Sequence, residues 1–155
     1  MKETIRIGLI GAGLGKSVML PAFASCEGVE LAAVCSARRA NARAAAEAFS
    51  IPAHYDDVEA MLAEQALDLV AITTPPHLHL PMTRAALARG AAVLCEKPTA
   101  LNLGEAEAML ALARQAGTLH LIDHELRFHP TVRRMKARID DGFLGPPETV
   151  SWAIQ

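Results

Sequence analysis

Cysteine is scarce in this chain: Cys26, Cys35 and Cys95 are the only three among 155 residues, and no two form a Cys-x-x-Cys pair. An odd, dispersed set argues against a disulfide framework and the usual zinc spacings. Cys35 and Cys95 end apolar runs and read as small buried hydrophobes, in keeping with a reducing compartment. An excess of one charge is also lacking. Fifteen Lys+Arg stand against seventeen Asp+Glu, a net charge of -2, so no basic field exists to attract nucleic acid or an anionic membrane. No apolar run reaches the roughly 18 residues of a membrane span. The opening Met1-Lys2-Glu3-Thr4-Ile5-Arg6 alternates charges where a signal peptide would become apolar, so no leader is expected and a cytoplasmic location is. Internal repeats and low-complexity linkers are absent as well.

What is present is apolar bulk, 52% of the residues, enough for one domain that buries roughly two thirds of its unfolded surface. Short apolar runs alternate with longer alanine-rich amphipathic ones. Strands are predicted at 4–10, 30–35, 53–55, 67–73, 91–95 and 118–122, and helices at 14–25, 39–49, 57–64, 78–89, 102–116 and 130–139. Pro21 makes the first helix suspect or kinked. Asp56 is expected to cap the third, and Asn102 with Glu105 to cap the fifth, which Gly117 stops. Short strands alternating with helices mean βαβ units and right-handed crossovers. The expected fold is α/β, a Rossmann-like, mostly parallel sheet with helices on both faces. Residues 1–145 are expected to form a dinucleotide-binding domain. A turn at Gly145-Pro146-Pro147 precedes a strand-like run at 149–154, so 146–155 is expected to begin a linker or the first strand of a second domain that this chain lacks.

The first strand runs into Gly11-Ala12-Gly13-Leu14-Gly15. A strand ending in glycines before a helix presents backbone N–H groups to a phosphate. Gly11 makes the tight turn, and Gly13 lets a pyrophosphate approach, with Leu14 beside it. The third small position, needed for close helix–strand packing, falls on Lys16, while Gly15 lies one place early. The match is therefore partial, and a glycine-rich turn of another α/β protein stays open. Gly15-Lys16-Ser17 mimics the end of a Walker loop, but Gly11 lies too close to Lys16 for that spacing. At the end of strand two, where an NAD site usually has a carboxylate, stand Ser36-Ala37-Arg38-Arg39. A hydroxyl and two guanidiniums at Ser36, Arg38 and Arg39 suit a 2′-phosphate, so NADP is favoured over NAD; a solvated helix start is the other reading.

Three further loops follow strands. Thr73-Thr74-Pro75-Pro76-His77-Leu78-His79 overlies the expected cofactor crevice, with Thr73, Thr74, Pro75 and His79 placed to reach the cofactor. His77 and His79 lack nearby Asp, Glu or Cys, so no metal site is expected. In Cys95-Glu96-Lys97-Pro98, Glu96 and Lys97 meet the same crevice, and Lys97 can hold a substrate hydroxyl and steer its proton. A salt bridge to Glu96 or a solvated loop lysine remains the alternative. Asp123-His124-Glu125-Leu126-Arg127-Phe128-His129-Pro130 is dense in acid, base and aromatic groups; His124 and Arg127 suit either a substrate pocket or a bridge to a neighbouring domain.

Together, Gly11-Ala12-Gly13 with Leu20-Pro21-Ala22, Thr74-Pro75-Pro76-His77-Leu78-His79, Cys95-Glu96-Lys97-Pro98 and Arg127-Phe128-His129-Pro130 resemble the glucose–fructose oxidoreductase/inositol dehydrogenase (Gfo/Idh/MocA) family, in its N-terminal NAD(P)-binding domain. The resemblance covers nearly the whole chain. It implies an NAD(P)-dependent oxidoreductase that moves a hydride between nicotinamide and the hydroxyl or carbonyl carbon of a sugar, inositol or related polyol. Lys97 would contact the reacting hydroxyl, His79 would lie near the nicotinamide, and the bond before Pro98 would be cis. The family's acid–base residues of the second domain have no counterpart here, so this chain alone is expected to be inactive. Met19 stands where members often have histidine. The full-length protein is expected to be a homo-oligomer that takes a small-molecule substrate. A non-catalytic, nucleotide- or sugar-responsive regulator is the alternative.

Overall fold

The computed structural model describes residues 4–143 together with 145, 146, 149 and 151. Six strands form one sheet: β1 (Ile5–Ile10), β2 (Val29–Cys35), β3 (Ala53–Tyr55), β4 (Leu69–Ile72), β5 (Ala92–Glu96) and β6 (His120–Asp123). Their order is β3-β2-β1-β4-β5-β6, and every neighbouring pair is parallel. The chain leaves β1 in one direction to build β2 and β3 and returns on its other side for β4 to β6. The reversal between β1 and β4 opens a crevice at the strands' carboxyl ends, where ligands of such sheets bind.

Alternation along the strands sends side chains to two cores. Leu9, Val34 and Ala71 pack with Met19 and Leu20 and with Ala45 and Ala46 of α2 (Arg39–Phe49). Ile10, Cys35, Ile72, Val93 and Cys95 pack on the opposite face. Their partners there are Met61 of α3 (Val58–Glu64), Leu87 of α4 (His79–Ala88) and Met109 of α5 (Leu103–Ala116). Strands covered on both faces explain why their runs are nearly continuously apolar. Cys35 and Cys95 are enclosed as expected, at 1% and 0% exposure. Burial, with nearby carboxylates second, pushes their thiols up to about 11 and about 12.

Local signals set the element ends, with two corrections. Asn102 accepts from the Glu105 N–H at 3.0 Å, and Gly117 closes α5 at φ 65°. The cap of α3 is Asp57, not Asp56: its Oδ1 accepts from the Ala60 N–H at 2.8 Å. The first helix is not one α-helix over 14–25. Gly15–Met19 is a π-helical turn, and only Leu20–Ala24 (α1) is α-helical. Pro21 has no N–H to give the preceding turn, so regular α structure begins where a proline is tolerated.

The chain divides into two compact units, Met1–Asp123 and His124–Gln155. Within the second, Glu125–Phe128 forms a short 3₁₀ turn and α6 spans Pro130–Asp140. Pro130 takes the first helical position, where its missing N–H costs nothing, and His129 Nδ1 accepts from the Thr131 N–H at 3.3 Å. The strand-like run expected at 149–154 lies mostly outside the described residues. Among the described residues, no helix is long and apolar enough to cross a membrane.

Candidate functional site

The turn after β1 is built from three glycines with different duties. Gly11 has φ +107°, and a Cβ there would lie 2.8 Å from the Thr73 carbonyl. Gly13 is exposed, and a Cβ on it would meet nothing within 4 Å, so its backbone stays open to a ligand's approach. Gly15 does the close packing: its Cβ would fall 2.6 Å from Thr73 Oγ1 and 2.7 Å from Leu9 Cδ2. The third small position is thus 15 rather than 16. Gly15 also begins the π-helical turn Gly15–Met19. Lys16 is relieved of that duty. Gly15→Ala is expected to cost roughly 1–3 kcal/mol by overpacking, read as a lowered urea midpoint, whereas Lys16→Ala should leave the midpoint nearly unchanged. Equal effects would return the packing role to position 16.

Thr73, expected to reach the cofactor, braces this turn with its hydroxyl. It is 7% exposed, and its hydroxyl donates to the Gly11 carbonyl at 2.6 Å. Its N–H donates to Ile10 O at 2.8 Å, while the Gly11 N–H donates to Cys35 O at 2.9 Å. The ends of β2, β1 and β4 are thereby locked together. Thr74 is different: its hydroxyl is buried and has no hydrogen-bond partner. It lines a cavity of about 350 Å³ shared with Gly11, Ser36, Asp56, Leu78 and Met82. An unpaired buried hydroxyl, a glycine cradle that tolerates no Cβ at Gly11, and a cavity walled by the ends of β1 and β2 fit the adenosine–diphosphate half of a dinucleotide.

Pro75 opens a 3₁₀ turn (Pro76–Leu78) that leads into α4. His79 follows, and it does not border the crevice. It is 0% exposed. Its Nε2 lies 2.8 Å from Thr74 O, and its Nδ1 lies 3.1 Å from Pro98 O and 3.2 Å from Thr99 O. The ring is a strut between the loops after β4 and β5, a correction to the expectation of nicotinamide contact. A periodic signal for this existed, because His79, Thr83, Ala86 and Leu87 share the buried stripe of α4.

Glu96 is 6% exposed, and its Oε2 accepts from the Lys97 N–H at 2.9 Å. Lys97 is exposed at the carboxyl end of β5, and the Lys97–Pro98 bond is cis. Neighbouring strands lie about 4.8 Å apart, so the ends of β2 and β5, three steps distant, are separated by roughly 14 Å. A ligand touching both must lie across the strand ends. At the β2 end, Arg39 pairs with Asp56, Nη1 to Oδ1 3.5 Å, a partner the sequence reading missed. Arg38 precedes α2 and is exposed. His124 and Arg127 lie in the second unit and are exposed, with the Arg127 guanidinium 5.4 Å from the Phe128 ring centre.

Comparison with known proteins agrees with this geometry. The chain is 35% identical over 139 residues to D-apiose dehydrogenase of Paraburkholderia graminis, covering 90% of this chain and 37% of the relative. It is 39% identical over 128 residues to D-xylose 1-dehydrogenase (NADP(+)) 2 of Haloferax volcanii, covering 82% and 39%. Among solved structures, scyllo-inositol dehydrogenase from Lactobacillus casei with bound NAD(H) and scyllo-inositol superposes with a TM-score of 0.86 at 26% identity, covering 92% of this chain and 42% of that one. The chain spans about two fifths of the length of the curated relatives it matches. The profile of the Gfo/Idh/MocA oxidoreductases, described as an oxidoreductase family with an NAD-binding Rossmann fold, matches residues 5–124, and the chain belongs to that family.

Proposed function

We propose that this chain is the nucleotide-binding part of an NAD(P)-dependent oxidoreductase acting on a hydroxyl or carbonyl carbon of a sugar, inositol or related polyol. The observation that carries the reading is the common edge of the sheet. The glycine turn of β1, the unpaired Thr74 hydroxyl of β4 and Lys97 of β5 all stand at strand carboxyl ends around the reversal point. Relatives named as sugar dehydrogenases support the substrate class.

Gly11, Gly13 and Leu14 would hold the pyrophosphate, through amides that the first helical turn leaves without intrahelical partners. Ser36, Arg38 and Arg39 would meet the adenosine ribose, and Thr74 and Pro75 would line the path toward the ring. The nicotinamide, when bound, supplies the hydride chemistry. Lys97 would hold the substrate hydroxyl, take up the charge that develops on its oxygen and pass on the proton. Glu96 serves this by gripping the Lys97 amide. Enclosed Cys35 and Cys95, with no disulfide use, support a reducing, cytoplasmic setting.

Titration of the chain with NADH and NADPH, followed by nucleotide fluorescence, tests the binding. Hydride transfer by the full-length protein across a polyol panel tests the reaction. Binding of neither nucleotide would overturn the proposal. Arg38→Ala is expected to weaken NADPH about ten-fold, the size of one charge-assisted contact, and NADH less than two-fold. Equal losses would rule out a 2′-phosphate contact at Arg38.

A further inference from the structure

The ribose end of the crevice carries acid as well as base. Ser36 N–H donates to Tyr55 O at 3.1 Å, which sets the start of the β3–α3 loop beside the end of β2. Asp56 and Asp57 come next in the chain and line the same cavity as Ser36 and Ala37. Asp57 is committed to capping α3 through the Ala60 N–H. Asp56 instead faces Arg39, 3.5 Å away, with the two side chains 45% and 68% exposed. The buried Cys35 thiol registers the local field: after burial, the carboxylates of Asp57 and Asp56 are what raise it. Negative charge therefore reaches the end of β2 despite the two arginines.

We propose that Asp56 is a specificity-determining residue: by engaging the Arg39 guanidinium it withholds that group from a 2′-phosphate and keeps the ribose end open to NAD as well as NADP. The inference rests on the nucleotide-binding reading above. An exposed pair of this kind is weak, so a phosphate can compete for Arg39 but must first displace Asp56. It must also approach against the Asp56 charge. A 2′-hydroxyl meets neither cost. Discrimination between the cofactors is then set by two loops 17 positions apart in sequence, rather than by the residues after β2 alone.

Dissociation constants for NADPH and NADH, measured by fluorescence on the chain and its variants, test this. Asp56→Asn is expected to tighten NADPH roughly three- to five-fold, the upper range of an exposed ion pair, and to change NADH less than two-fold. In an Arg39→Gln background the same change should bring little gain. An unchanged NADPH/NADH ratio in Asp56→Asn, with an unaltered melting curve to show that the variant is folded, overturns the inference while leaving nucleotide binding intact. A full gain that persists without Arg39 also overturns it, because Asp56 would then act by repulsion alone. A native chain that binds neither nucleotide would remove the underlying reading and this inference with it.

Discussion

Replacing Lys97 with alanine in the full-length protein is expected to lower kcat by roughly 10²- to 10⁴-fold, the range supplied by a positioned acid–base group, while the dissociation constants of NADH and NADPH move less than about two-fold. The split follows from where the residue stands. Lys97 lies at the end of β5, two strands from β1 and three from β2, whereas the glycine turn and the cavity beside it lie at the ends of β1 and β2. Removing the amine would take away the group proposed to meet the charge that develops on the substrate oxygen. It does not touch the backbone that would hold the pyrophosphate. Lys97→Arg separates charge from proton transfer, since a guanidinium keeps its charge but does not release a proton near neutral pH. Little recovery in that variant is expected if the amine carries a proton, and substantial recovery would restrict Lys97 to charge stabilisation. Unchanged turnover in Lys97→Ala would remove the residue from the mechanism.

The alternation of strands and helices was legible because burial on both faces leaves a strand no choice but apolar residues, as in Ile7–Ile10 and Val70–Ile72. The helix caps at Asn102 and Gly117 were legible because their signals lie within four residues of what they satisfy. The readings that changed depend on distances that no local pattern carries. Position 15 replaces 16 as the packing glycine because it comes to rest against Thr73, which is distant in sequence. The bracing role of Thr73 was not legible because its hydroxyl meets the Gly11 carbonyl across 62 positions. Asp56 and Arg39 meet only because β3 pairs with β2. A histidine in a loop after a strand reads as a contact of the crevice, which is how His79 was expected to act. Its burial follows from the helical period it shares with Thr83, Ala86 and Leu87, which turn one stripe of α4 inward.

That enclosed ring gives the second large effect. His79→Ala is expected to destabilise the chain by about 3 kcal/mol, combining the loss of a ring N–H donor to the loop carbonyls with the cavity left behind. The carbonyls of Thr74, Pro98 and Thr99 all turn to the ring, from 2.8 to 3.2 Å, and carbonyl oxygens cannot satisfy one another. His79→Gln retains an amide donor of similar reach and should recover part of the loss, whereas His79→Leu fills the volume without donating and should recover less. Urea unfolding of the four proteins orders them. The expected order is His, Gln, Leu, Ala. A loss below about 1 kcal/mol in His79→Ala, or Leu matching His, would show that the ring fills space rather than bonding the loops. Because Pro98 and Thr99 directly follow Lys97, the same variants should loosen the loop that presents the lysine. In the full-length protein, His79→Gln is therefore expected to keep nucleotide affinity while losing kcat, placing the strut upstream of the reacting group and outside the cofactor's own contacts.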